Sequence, residues 1–242
     1  MSERIDDLQI NGYRLIQNPD LFCFGVDAVF LSSFAKASKS ENVLDLCTGN
    51  GIIPILMAAK TQALHLTGLE IQEESASLAR RSISLNELDD RVSIIKGDIK
   101  NISDYIKPSS FNVVTVNPPY MTADHGLVND YSPKAIARHE LECSLDDVLQ
   151  ASAYALKPNG RLYMVHRPHR LEDIMVLMRK HKIEPKHMRF IHPYVDKEPT
   201  MVLIEGRLGG GSNMRVDPPL IIYSAPSVYS EEVQNIYGST GP

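Results

Sequence analysis

Asn117-Pro118-Pro119-Tyr120 is the stretch of this chain whose residue types and order point most directly at chemistry. Each proline fixes its own φ and lacks an N–H. The residue before each proline is steered out of the helical region, so Asn117 and Pro118 are expected to be extended. The product is a stiff lip with two acceptors, the Asn117 side-chain oxygen and the Pro118 carbonyl, and the flat ring of Tyr120 beside them. Two fixed acceptors and a stacking face suit a planar substrate that carries an NH2 group. The plainer reading of the same residues is a rigid turn from strand to loop.

A lip of this kind needs elements to hold it. The β-branched run Val113-Val114-Thr115-Val116 before it reads as a buried strand of a parallel sheet, within a segment spanning Phe111 to Tyr120. Asn42-Val43-Leu44-Asp45-Leu46 reads as the first core strand. It runs into Cys47-Thr48-Gly49-Asn50-Gly51 and then a helix over about 52–60, with Pro54 tolerated in the first turn. Strand, glycine turn and helix open a Rossmann-like unit, in which glycines let a ligand approach the backbone. Dinucleotide binding wants a third glycine where Pro54 stands, so a nucleoside with a small amino-acid tail fits this turn better. His65 to Leu69 reads as the second strand, ending at Glu70 with Ile71 behind it. An acid about 20 residues past the turn is placed to hold two ribose hydroxyls. The competing role for Glu70 is a cap for the helix from Gln72 to about Leu88. Val92 to Lys96 reads as the third strand, closed by Gly97-Asp98-Ile99.

Ahead of this core, Leu8 to Gln17 reads as a β-hairpin turned by Asn11-Gly12. Asp27 reads as the N-cap of a helix to about Ala37, and Phe24-Gly25-Val26-Asp27 as either that cap or a lid over a cofactor. After the lip, Met121 to Ser132 lacks periodicity and reads as a substrate loop. Ser144 to Leu156 patterns as an amphipathic helix, Arg161 to His166 as a fifth strand, and Pro168 to Lys182 as another helix. Glu184 to Tyr194 and Thr200 to Glu205 pattern as a final antiparallel pair. Gly209-Gly210-Gly211 then breaks the core, and residues 212–242 read as an extended, partly ordered tail. The expected organisation is one domain over 1–208, made of an N-terminal hairpin and helix (1–41) and a Rossmann-like core (42–208), followed by a tail over 209–242.

Composition narrows the class. With 242 residues, 43% hydrophobic and 23% charged, the chain is long enough for one sizeable core and ordinary for a soluble protein. Three unpaired-looking cysteines, a polar N-terminus and no apolar run near the roughly 18 residues of a membrane span favour the cytoplasm and no membrane partner. No cysteine or paired carboxylate joins His166 with His169, or His187 with His192, so no metal is expected. The net charge of −5 hides an asymmetry: residues 1–156 carry −8, residues 157–197 carry +6 with five of the eight histidines, and the remainder −3. A concentrated basic segment is a footprint for a polyanion such as RNA, or simply a solvated helix face.

The order of these motifs, with Asp45, Gly49 and Gly51 in the first turn, Glu70 second, Asp98 third and Asn117-Pro118-Pro119-Tyr120 fourth, resembles class I S-adenosylmethionine-dependent amino-methyltransferases. Cys47 replaces the first glycine of that family's pattern. Phe24 to Asp27, Arg138-His139-Glu140 and Glu198 to Gly209 make the whole chain similar to bacterial enzymes that methylate N6 of adenine 37 in a valine tRNA. The resemblance implies a seven-stranded, mostly parallel sheet with an antiparallel last strand and helices on both faces. It implies S-adenosylmethionine as cofactor, held by Asp45, Cys47, Gly49, Gly51, Glu70, Ile71, Asp98, Ile99 and Asn117. It makes Asn117, Pro118 and Tyr120 catalytic, and makes RNA, as tRNA, the substrate of a monomer or homodimer. Pro119, Arg138, Arg167, Arg170, Lys180 and Lys182 are the residues expected to meet that RNA. The rival readings are a glutamine N5-methyltransferase acting on protein, a guanine N2-methyltransferase acting on rRNA, and an RNA-binding module that kept the fold without activity.

Overall fold

Alternation of side chains along each central strand decides the architecture. The computed structural model describes residues 3–21, 23–118 and 143–238. Its central strands are β3 (Asn42–Leu46), β4 (His65–Glu70), β5 (Val92–Lys96), β6 (Phe111–Val116), β7 (Leu156–His166), β8 (Ile183–His192) and β9 (Met201–Leu208). They lie side by side in the order β5-β4-β3-β6-β7-β9-β8, with β9 alone antiparallel to its neighbours. This is the expected sheet. Val43, Leu66, Val113 and Val165 point to one face, and Leu44, Leu69, Val114 and Met164 to the other. Both faces are therefore buried, as parallel sheets require.

Helices cover the two faces. Against the first pack α1 (Val26–Phe34), α2 (Ile52–Lys60) and part of α3 (Glu73–Leu85). Against the second pack α4 (Leu145–Ala155), α5 (Leu171–Lys180) and the short 3-10 turn Ile99–Asp104. Ser144 begins α4 with a reciprocal cap: its hydroxyl accepts from the Asp147 N–H while the Asp147 carboxylate accepts from the Ser144 N–H.

Three local expectations are corrected. The N-terminal hairpin pairs β1 (Arg4–Asp7) with β2 (Arg14–Gln17), so its first strand lies ahead of Leu8-Gln9-Ile10. Asn11 and Gly12 do form the tight turn, with φ of +51° and +68° and Tyr13 N–H on the Ile10 carbonyl at 2.9 Å. The chain between the strands is longer because Gln9 also takes a left-handed φ of +55°. Secondly, α1 starts at Val26 and stops at Phe34, and its N-cap is Gly25 with no side-chain cap. Asp27 therefore sits inside the first turn, where its Oδ1 accepts from the Ala28 N–H at 2.9 Å.

Thirdly, the segment after Gly209 is not an extended tail. β10 (Arg215–Val216) and β11 (Leu220–Ile221) add in parallel to the β8 edge, bringing the sheet to nine strands. A small hairpin, β12 (Tyr223–Ala225) with β13 (Val228–Tyr229), then leads into α6 (Glu231–Ile236), which contacts α1. Leu220, Ile222 and Val233 are fully or almost fully buried in the same cluster as α1 and α2. Arg189 clamps this return, bonding the Glu232 carboxylate at 2.6 and 2.8 Å and the Pro218 carbonyl at 2.9 Å.

Candidate active site

Sheet register brings the motif ends together. Leu46 pairs with both Leu69 and Val116, so the next residues, Cys47, Glu70 and Asn117, stand in one row along the C-terminal edge. Glu70 pairs in turn with Lys96, which puts Gly97 and Asp98 just beyond it. Strands lie about 4.8 Å apart, so the row spans roughly 15 Å, the scale of a nucleoside with a short side chain. Order reverses at β3, which has β4 on one side and β6 on the other, and this is where open α/β sheets bind ligands.

The turn after β3 is built for close approach. Cys47, Gly49 and Gly51 have φ of +57°, +58° and +81°. Nothing lies within 4 Å of a Cβ built on Gly49, so the backbone there faces open space. At Gly51 such a Cβ would stand 3.0 Å from the Ala79 Cβ, so this glycine lets α2 pack on α3. Cys47 holds a left-handed conformation that costs an ordinary residue roughly 1–2 kcal/mol. Its thiol lies against that of Cys143; this contact and burial push it well above the usual thiol range, and the same contact lowers Cys143.

Glu70 does more than one job. One carboxylate oxygen accepts from the Gly49 N–H at 2.8 Å and the other from the Gln72 N–H at 2.9 Å. The acid thus ties the glycine turn to β4 and also caps the approach to α3, and each oxygen keeps a second acceptor position. Next to it Ile71 is 44% exposed, an apolar side chain on the rim. Across the row the Asp98 carboxylate accepts from the Lys100 N–H at 2.9 Å, and the Ile99 side chain is buried behind the 3-10 turn.

Asp45 lies beneath the turn, 1% exposed. Its Oδ1 accepts from the Thr115 hydroxyl at 2.7 Å, stitching β3 to β6. Its Oδ2 and the nearby Thr48 hydroxyl are buried with no hydrogen bond in the protein, so both retain capacity for a ligand or water. Burial pushes the acid from 3.8 to about 7; the Glu70 charge adds to this, while the hydrogen bond from the Thr115 hydroxyl opposes it. The folded state therefore keeps this proton up to about pH 7, whereas the unfolded chain releases it near 3.8. The contribution to stability is fully present below about pH 4 and is lost as pH rises through 7, on the order of 4 kcal/mol in all. Asp45→Asn removes the titration while its NH2 can donate to the Thr48 oxygen. Urea melts between pH 4.5 and 7.5 should show wild type losing stability relative to the variant; parallel curves would refute the assignment.

Asn117 stands half-buried at the end of β6, with Pro118 buried behind it. The Asn117 Nδ2 donates to Asp27 Oδ2 at 3.1 Å. A carboxylate only accepts, so this contact decides which end of the amide faces α1. A separation of 90 residues leaves no local signal of that role for Asp27 in the sequence. Tyr120, Pro119 and Arg138, with the substrate loop Met121 to Ser132 and His139-Glu140, lie outside the described residues.

The basic residues divide between two edges. Arg167 and Arg170 follow the end of β7, on the same edge as Asn117. Arg167 donates to the Thr200 carbonyl at 3.1 Å, and Arg170 pairs with Asp173 at 2.8 Å. Lys180 and Lys182 do not join them. They end α5 and precede Ile183, the first residue of β8, which runs parallel to β6. Ten residues of β8 span roughly 30 Å, so these lysines lie at the far edge of the sheet. Lys180 is also paired with Asp146 at 2.8 Å. A helix that returns antiparallel to its strand carries its terminal cations away from the site. Among the described residues no group of three or more His, Cys, Asp or Glu is placed to hold a metal, and no helix is long and apolar enough to cross a membrane.

Comparison with known proteins agrees with this geometry. The chain is 27% identical over 216 residues to a tRNA1(Val) (adenine(37)-N6)-methyltransferase of Porphyromonas gingivalis, covering 86% of this chain and 84% of that one. It is 26% identical over 208 residues to the enzyme of the same name from Phocaeicola vulgatus, covering 86% of each. Among solved structures, a predicted O-methyltransferase from Agrobacterium tumefaciens matches with a TM-score of 0.72 at 20% identity, over 88% of this chain and 95% of that one. TYW2 from M. jannaschii, solved in complex with AdoMet, matches with a TM-score of 0.58 at 13% identity over 85% of each. The family model described as the methyltransferase small domain matches residues 13–182, and the chain belongs to that methyltransferase family.

Proposed function

We propose that this methyltransferase transfers a methyl group from S-adenosylmethionine to the exocyclic N6 of an adenine in RNA, a tRNA anticodon-loop adenine, in the cytoplasm. The observation that carries the reading is the placement of the Asn117 amide on the rim, one strand from the glycine turn and oriented by Asp27. The cofactor fits the residues present. The open backbone at Gly49, the spare acceptor positions of Glu70, the exposed Ile71 and the unpartnered Thr48 hydroxyl suit a nucleoside with a polar tail. In this reading Glu70 takes the ribose, Ile71 flanks the base, Asp98 accepts from its amino group and the Ile99 backbone N–H meets the ring. When bound, the cofactor supplies a methyl group on a sulfonium.

An adenine amine is a weak nucleophile because its lone pair is delocalised into the ring. Accepting both N–H bonds, at the Asn117 oxygen and the Pro118 carbonyl, raises electron density on nitrogen and aims it across the rim. Tyr120 would stack the unpaired base, worth about 1–3 kcal/mol. The decisive test is mass spectrometry of nucleosides from tRNA incubated with enzyme and cofactor. N6-methyladenosine is expected. N2-methylguanosine instead would reassign the base, and N5-methylglutamine formed only in a protein substrate would reassign the class.

The two groups of cations give a second test. Charge reversal at Arg167 and Arg170 should weaken RNA binding at least tenfold and flatten the dependence of log Kd on log salt by about one to two counterions. Reversal at Lys180 and Lys182 should change the slope by less than half as much. Equal effects at both edges would move the RNA away from the catalytic rim.

A further inference from the structure

Asn117 can serve an amine only with its oxygen turned outward, and a free amide has no preference between its two ends. Asp27 supplies that preference. Its Oδ2 accepts from Asn117 Nδ2 at 3.1 Å, and its Oδ1 accepts from the Ala28 N–H at 2.9 Å in the first turn of α1. Both oxygens are thus engaged by donors that cannot accept in return. Flipping the Asn117 amide would set its oxygen against a carboxylate oxygen, a repulsive contact in a half-buried place. Glycine at position 25 leaves room for this carboxylate: a Cβ there would lie 2.9 Å from Asp27 Oδ1 and push the tip of that side chain aside.

We propose that Asp27 is a positioning residue for methyl transfer: held by Gly25 and the Ala28 N–H, it locks the Asn117 amide with the oxygen toward the acceptor amine. The proposal rests on the functional reading above and deepens it. It gives Phe24-Gly25-Val26-Asp27 a role other than a helix cap.

Three variants test it. Asp27→Asn is nearly isosteric, yet with its oxygen on the Ala28 N–H it turns an NH2 toward Asn117 and favours the flipped amide, oxygen inward. It should lower kcat about 30-fold or more, with cofactor affinity within about twofold and KM for RNA little changed. Gly25→Ala leaves Asp27 in place but displaces the tip of its side chain, and should lower kcat about tenfold with an unchanged melting profile. In an Asn117→Ala background Asp27→Asn should have no further effect, because the group it positions is gone. A purely structural role for Asp27 would instead lower activity equally in both backgrounds, and that result overturns the proposal.

A readout independent of turnover separates this from failure of the functional reading. The Asn117 side-chain NH2 resonances, assigned by their absence in Asn117→Ala, should shift in both Asp27→Asn and Gly25→Ala. Unchanged resonances overturn the lock even if adenine methylation is found. Shifted resonances in a protein that methylates no adenine sustain the lock and overturn the substrate.

Discussion

Asn117→Ala is expected to lower kcat by about two to three powers of ten while cofactor affinity stays within about twofold. Removing one preorganised polar contact to a reacting group costs that much in enzymes where the contact tightens in the transition state. In the proposed reading the contact would be one of two acceptors on the reacting nitrogen, and the remaining Pro118 carbonyl would grip only one of its hydrogens. Cofactor binding should survive, because the glycine turn is held by Glu70 on β4, whose carboxylate bonds the Gly49 and Gln72 N–H groups. Single-turnover methyl transfer and calorimetric titration of the cofactor measure the two effects separately. A collapse of cofactor affinity would show that Asn117 belongs to the cofactor's site rather than to the acceptor's.

Ending the chain at Leu208 should leave no cooperatively folded protein. Leu220, Ile222 and Val233 are buried in the cluster that also holds α1 and α2. Each such side chain contributes about 1.5–3 kcal/mol on burial. Three of them, with the lost pairing along β8, approach the 5–15 kcal/mol that a domain possesses. The effect reaches the active site as well, since α6 packs on α1, the helix that carries Asp27. Within the full chain, Val233→Ala should cost about 2 kcal/mol. Urea melts followed by near-ultraviolet circular dichroism check both; a truncated chain melting at the wild-type midpoint would contradict the buried role of this segment.

The two predictions mark where sequence sufficed and where it did not. Strands β3 and β6 were legible because both of their faces are buried, so each is a short apolar run ended by a turn signal, and β4 and β5 because their apolar residues stop at Glu70 and Gly97. Asp45 and Glu70 lie in the last two residues of their strands and Gly49, Asp98 and Asn117 follow within three residues, and once the strands lie parallel their ends must share one edge. The C-terminal segment was misread for a physical reason. Gly209-Gly210-Gly211 looks like the start of a linker, and β10 and β11 are two residues each, too short to show any period. Their strand geometry comes from pairing with β8, not from their own residues. The apolar Leu220-Ile221-Ile222-Tyr223 and the Ser230 cap before α6 were the available signals.

The basic segment teaches the same lesson in charge. Composition showed that residues 157–197 are positive, but only the antiparallel return of α5 on β7 sends Lys180 and Lys182 to the far edge while Arg167 and Arg170 stay at the rim. By itself, then, the sequence determined the seven central strands, the glycine turn after β3 and the place of Asn117 at the end of β6, because those depend on contiguous residues and their local conformational limits. Only the tertiary structure decided which way the Asn117 amide points and what closes the core over α1. Both are contacts between segments tens of residues apart, and a contact of that kind leaves no period, propensity or motif in the chain that makes it.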